Sequence, residues 1–229
     1  MKHHVGASLG AYVSVLHHQP TRYADWESAS LLGETERQYA RSLSSTAAKC
    51  RFTQSHSCLK QLLADATETS PQEWQLVKDA RGCWKCAQSN TLPKMYFSLS
   101  HSHQVTAIAL SREAPIGIDI ELQAHKIYPE QVAAAFHVNE LKSLSKFSVI
   151  DQPTQTLKLW TAKEAYTKLT GLGPFLEPST FEISVDPLRI KIPSSQNKIG
   201  FDSTELFLNG HSYRLTVAAT KSKMRGDYV

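Results

Sequence analysis

No run of eighteen apolar residues occurs in the 229-residue chain, so no segment of it is expected to cross a membrane as a helix. Residues 1–10 lack the long apolar stretch of a secretory signal, and the expected location is the cytoplasm. Cysteine is scarce: Cys50, Cys58, Cys83 and Cys86 are the only four, and without a signal no disulfide framework is expected. Basic residues never gather into a run of five or six, which speaks against a nucleic-acid-binding arm. No Gly-x-Ser-x-Gly elbow is present, and no second Cys-x-x-Cys follows the first.

What is there is ordinary in bulk. Hydrophobic residues make up 41% and charged residues 20%, enough for one large domain or two small ones. The net charge of +4 suits an acidic partner: a phosphorylated metabolite, an acidic protein or nucleic acid. Cys83-Trp84-Lys85-Cys86 has the spacing of a redox pair or half a zinc site, with His101 and His103 as completing ligands. The plainer reading, two small residues in a strand, is the expected one. His3-His4 and His17-His18 are expected at the surface.

The pattern along the chain reads twice. Gly10 to Leu16 reads as a strand, Asp25 to Leu32 and Glu34 to Leu43 as polar helices, and Thr46 to Ala64 as a longer helix capped by Ser45 or Thr46. Strands are expected at Trp74 to Lys78, Lys94 to Ser100 and Val105 to Leu110, with Arg81-Gly82 as a hairpin turn. The second half opens with a strand, Ile116 to Leu122, then one or two helices over Pro129 to Lys146. Leu157 to Thr170 follows as a strong helix ended by Gly171 and Gly173. Strands at Phe181 to Val185, Leu188 to Ile192, Glu205 to Leu208 and Tyr213 to Ala219 complete it. Phe52, His56 and Lys60 share the spacing of Trp160, Glu164 and Lys168. The expectation is an α+β duplication: similar halves, residues 1–111 and 112–229, each a small antiparallel sheet packed with helices. A ligand cleft would lie between them.

Three segments carry chemistry. In Gly117-Ile118-Asp119-Ile120-Glu121, alternation puts both carboxylates on one face of a strand. They repel unless a hard cation lies between them or lysines pair with them on a solvated face. In Trp160 to Lys168, the residues Trp160, Glu164 and Lys168 share a helix side. Glu164 is placed to add a third carboxylate and Lys168 to reach a phosphate, unless the two form a simple surface pair. Phe97-Ser98-Leu99-Ser100-His101-Ser102 ends a strand in hydroxyls and an imidazole, a plausible phosphate cradle. Adjacent Ser and His on a strand face opposite ways, which argues against a hydrolytic couple.

Together these segments, with Pro115 before the first and Gly171-Leu172-Gly173 after the second, resemble the 4′-phosphopantetheinyl transferase superfamily, in its pseudo-dimeric surfactin-synthetase type. The resemblance implies transfer of the 4′-phosphopantetheine arm of coenzyme A to a serine of an acyl or peptidyl carrier protein. It implies a monomer whose two lobes are related by pseudo-two-fold symmetry, with 3′,5′-adenosine bisphosphate released and magnesium required, or manganese in its place. It makes Asp119, Glu121 and Glu164 the metal ligands, with Glu164, Lys168 and Asp119 catalytic. Ser100 and His101 would meet the 3′-phosphate, and Lys163 and Lys168 the pyrophosphate. Lys49, Arg51, Phe52, His56 and Lys60 resemble the family's basic-aromatic helix, where Arg51 is the favoured nucleotide contact over Arg37 and Arg41. The family's Gly-Lys-Pro is replaced by Gly82-Cys83-Trp84, with Lys85 one place late, and His103 follows the Ser-His motif where a small or acidic residue is usual. Ile127 to Pro129, Val132 and Phe136 offer apolar residues for a carrier helix. A nucleotide phosphoesterase and a silent binding module are the rival functions.

Overall fold

The computed structural model describes residues 2–3, 11–18, 31–124, 126–191 and 199–220. The helix expected from Asp25 falls largely outside them. The first half runs β1 (Lys2–His3), β2 (Tyr12–His17), α1 (Glu34–Ser42), α2 (Thr46–Thr67), β3 (Leu76–Lys78), β4 (Trp84–Cys86), β5 (Tyr96–Ser102) and β6 (Val105–Ser111). The second runs β7 (Ile116–Leu122), α3 (Val138–Leu144), α4 (Gln152–Thr170), β8 (Glu182–Val185), β9 (Leu188–Lys191), β10 (Ile199–Leu208) and β11 (His211–Thr220). A short 3-10 turn at Pro129–Ala135 precedes α3, so the stretch read as one or two helices divides there.

The pairing repeats with the order. β2 pairs antiparallel with β6, and β6 with β5; β7 pairs antiparallel with β11, and β11 with β10. β3–β4 and β8–β9 are small hairpins in corresponding places. The sheets are thus β1-β2-β6-β5 and β10-β11-β7, and α+β is the class observed. Strand alternation supplies the core. Val13, Val15, Val105, Ala107 and Ala109 of the first sheet share one buried cluster with Ile116, Ile118, Ile120, Leu215 and Val217 of the second. The two sheets thus contribute alternate strand residues to one common core.

Helix ends follow local chemistry. Ser45 Oγ accepts from Ala48 N at 3.1 Å, capping α2 as expected. Gly171, at φ 64°, closes α4 in the left-handed region, where a residue without Cβ is least strained. α4 is buried on two flanks, against β7 and β11 on one side and against α3 and β8 on the other. Leu159, Ala162, Tyr166 and Leu169 lie in that core as expected.

The helix register read from spacing needs correction. In each half, the long helix sends one buried lysine to one buried glutamate on the short helix before it. Lys60 Nζ meets Glu36 Oε2 at 2.7 Å, and Lys163 Nζ meets Glu140 Oε1 at 2.7 Å. Each glutamate also caps its own helix, Glu36 accepting from Gly33 N and Glu140 from His137 N. The partner of Lys60 in the repeat is therefore Lys163, not Lys168.

Candidate functional site

The two sheets meet edge to edge at β5 and β7. No backbone ladder joins these strands; serine side chains do. Ser98, Ser100 and Ser102 alternate along β5 and so share a face. Ser98 Oγ accepts from Ile118 N at 3.1 Å, Ser100 Oγ donates to Asp119 Oδ1 at 2.7 Å, and Ser102 Oγ donates to Glu121 Oε2 at 2.8 Å. Successive bonds advance together along both chains, so the strands run parallel here.

α4 approaches from the other side. Gly117 makes the approach possible: a Cβ there would lie 1.8 Å from the Ala165 carbonyl oxygen. This close packing brings Glu164 and Lys168 to the carboxylates of β7. Lys168 Nζ donates to Asp119 Oδ1 at 2.7 Å and to Ser100 Oγ at 2.9 Å, while its side chain stays 30% exposed to the cleft.

Asp119, Glu121 and Glu164 feel one another's charge. Burial raises the Glu121 carboxyl, and the charges of Asp119 and Glu164 raise it further against Ser102 and Lys168. Burial likewise raises Glu164, with Asp119 adding and Lys168 opposing. Around this acidic centre lie basic side chains. Burial lowers the His101 imidazole, and Arg51, Lys168 and His18 lower it further, while Asp119 opposes them. Arg51 of α2, His101 of β5 and Lys168 of α4 therefore face one region, suited to an anion.

A divalent cation fits this donor set. Asp119 Oδ2 is buried without a hydrogen-bond partner, an orphaned anionic oxygen whose desolvation needs an offset. Its neighbours are two further carboxylates held above their ordinary range, and oxygen donors suit a hard cation. Among the described residues no three acidic, histidine or cysteine side chains are gathered so that they could hold a metal ion as they stand, and the Lys168 ammonium rests on Asp119 instead.

Beside Lys168 opens a groove of about 860 Å³, walled by Trp84, Tyr96 and Phe97 of the first half and by Ile116 and Gly171 of the second. This is the cleft expected between the halves. Lys85 also lines it, with its ammonium 2.6 Å from Asp79 Oδ2.

Several expected contacts are placed elsewhere. Lys163 is 1% exposed and donates to both Glu140 oxygens and to the Phe181 carbonyl. It is a core staple and not a pyrophosphate contact, because its helix position faces α3 and not the cleft. Lys60 and His56 are likewise buried on Glu36, and His56 stacks on Phe52 with ring centroids 3.9 Å apart. Ser100 is buried with its hydroxyl committed to Asp119, so of the Ser-His pair only His101 is exposed. Phe136 is 3% exposed and belongs to the core, and Val132 packs against it. His18 is buried rather than superficial, bonded to Thr106 and Gln54; His4 lies outside the described residues. The cysteines are free; Cys86 ends β4, Cys83 lies just before that strand, and both line the groove.

Sequence reasoning missed Ser102 and Ser98. Their signal was the period of two running from Ser98 to Ser102, read as a phosphate cradle when all three serines belong to the bond between sheets.

Comparison with known proteins agrees with this geometry. Residues 115–218, which hold β7, α4 and most of β11, match the 4′-phosphopantetheinyl transferase superfamily. A protein of Synechocystis sp. provisionally named a 4′-phosphopantetheinyl transferase is 29% identical over 126 residues, 55% of this chain and 51% of its own. The 4′-phosphopantetheinyl transferase psf-1 of Bacillus pumilus is 38% identical over 85 residues, 36% of this chain and 34% of its own. The 4′-phosphopantetheinyl transferase HetI of Nostoc sp. is 28% identical over 139 residues, 60% of this chain and 58% of its own. The chain thus aligns with between a third and three-fifths of the length of these relatives. Residues 115–218, with their paired carboxylates on β7 and the Glu164–Lys168 turn of α4, are thus similar to the 4′-phosphopantetheinyl transferase superfamily.

Proposed function

We propose that the protein transfers the 4′-phosphopantetheine arm of coenzyme A to a serine hydroxyl of an acyl or peptidyl carrier protein and releases 3′,5′-adenosine bisphosphate. What supports this reading is the mutual charge of Asp119, Glu121 and Glu164 near Lys168, which lines a groove of about 860 Å³, with Arg51 and Lys168 both acting on His101. Acid groups for a cation and basic groups for phosphates lie side by side, as phosphoryl transfer requires.

Asp119, Glu121 and Glu164 would hold a magnesium ion, which when bound neutralises charge on the pyrophosphate as the bond breaks. Arg51 and His101 bind the nucleotide phosphates from the first half. The groove beside them takes the nucleotide, with Trp84 and Tyr96 offering aromatic faces. Glu164 accepts the proton of the carrier hydroxyl as its oxygen attacks the β-phosphorus. Burial raises this carboxyl above the ordinary glutamate range, which strengthens it as a proton acceptor. The bond from the β-phosphorus to the bridging oxygen breaks, and the nucleotide departs with the electron pair. Lys168 steadies the charge left on that departing phosphate. The basic balance of the chain favours an acidic carrier.

Intact-mass measurement of an apo carrier protein, incubated with the chain, coenzyme A and magnesium, tests the proposal. The carrier should gain the mass of one phosphopantetheine. Hydrolysis of coenzyme A with no gain by the carrier would point to a phosphoesterase instead.

A further inference from the structure

Glu121 stands at the far end of β7, half-buried, with the charges of both Asp119 and Glu164 repelling its carboxylate. A glutamate has three side-chain rotors, and repulsion alone would turn it towards water. Something must hold it inward. Its own half does not: the bonded partner of Oε2 is Ser102 Oγ, at 2.8 Å, from β5 of the other half.

Ser102 is doubly engaged. Leu122 N lies 3.0 Å from the same Oγ. An amide N–H can only donate, so the hydroxyl accepts there, and its single proton is left for the carboxylate. The hydroxyl cannot rotate without losing one bond or the other. It therefore references the Glu121 carboxylate to the backbone of the next residue, Leu122. Ser98, on the same face, bonds only to the backbone amide of Ile118 and touches no carboxylate.

We propose that Ser102 is a positioning residue: it fastens one oxygen of Glu121 and so presents the carboxylate to the divalent cation, making that site depend on both halves of the chain. This rests on the cation-dependent reading above. The row of serines separates into Ser98, which joins strand to strand, and Ser100 and Ser102, which each hold one acid of the site.

The test measures cation binding on the full chain alone, without coenzyme A or carrier. Manganese(II) is titrated and followed by paramagnetic resonance, with thermal unfolding recorded in chelator. Ser102→Ala should weaken manganese binding about tenfold, the worth of a hydrogen bond to a charged group, and lower the melting temperature less than Ser98→Ala, because the Leu122 amide is part-buried where water can replace the lost bond and the Ile118 amide is buried. Ser102→Thr keeps the hydroxyl and suits a strand, and should restore affinity to within about threefold. Ser98→Ala should lower the melting temperature and leave manganese affinity as in the parent. Equal weakening by Ser98→Ala and Ser102→Ala would make the row merely structural and overturn the proposal, as would Ser102→Ala that melts low and is not rescued by threonine. Parent-like affinity in Ser102→Ala, with binding lost in Asp119→Ala, would overturn the role of Ser102 and leave the cation site standing. A parent chain that binds no manganese would overturn both.

Discussion

Gly117→Ala puts a methyl group where backbone already lies. The new Cβ would be 1.8 Å from the Ala165 carbonyl oxygen, 2.6 Å from Leu169 N and 2.9 Å from the Ala165 carbonyl carbon. The first of these falls about 1.6 Å short of ordinary contact. No side chain can turn aside to relieve it, since every clashing atom is main chain. α4 must move away from β7 by more than about 1 Å, and Glu164 and Lys168 move with it. Overpacking a well-filled core costs about 1–3 kcal/mol, and this clash belongs at the upper end. At about 2–4 °C per kcal/mol for a chain of this size, the melting temperature should fall by about 6–12 °C. The effect on chemistry should be larger still, since a 1 Å misplacement of reacting groups costs about a hundredfold in rate. Differential scanning calorimetry reads the first effect and carrier mass gain under saturating coenzyme A the second. Ala165→Gly should not rescue the variant, because it leaves the clashing carbonyl in place. A Gly117→Ala protein that melts within about 2 °C of the parent, a margin below one kcal/mol, and transfers at the parental rate would refute the packing argument.

Lys163→Met should lose about 3–5 kcal/mol of stability by leaving Glu140 charged, buried and unpaired, measurable by urea unfolding. Native stability with weakened coenzyme A binding would return Lys163 to the ligand site. Glu164→Gln removes one of three mutually repelling carboxylates, so in chelator it should melt no lower than the parent, while transfer falls about a hundredfold or more. Arg51→Ala should weaken coenzyme A binding about tenfold, with an unchanged melting temperature and a shallower salt dependence by calorimetric titration. Glu121 and Glu164 are held above their ordinary value of 4.5, so manganese binding should fade on acidification at a pH above that value. The same two groups bind protons more tightly folded than unfolded. In chelator their contribution to stability is present at low pH and is lost as pH rises through their folded values.

The residue pattern was enough for the local elements. β7 was legible to the residue, because Ile116, Ile118 and Ile120 alternate with Gly117, Asp119 and Glu121, and that period admits only a strand with both acids on one face. The end of α4 at Gly171 and the cap of α2 at Ser45 were equally local, decided by groups within a few residues. The repeat of elements was visible for the same reason.

Which lysine serves the site was not. Lys60, Lys163 and Lys168 all sit on long helices with acids in plausible reach, and spacing grouped Lys60 with Lys168. The tertiary fold grouped it with Lys163, because Glu36 and Glu140 arrive from short helices more than twenty residues earlier in the chain. The roles of Ser98 and Ser102 were hidden likewise, since β5 and β7 meet through side chains and not through a ladder that alternation would announce. Periodicity reports which way a side chain leaves its own backbone. Only the packed structure supplies the partner it meets there, and for a charged or hydroxyl group the partner decides whether it staples the core or faces the ligand.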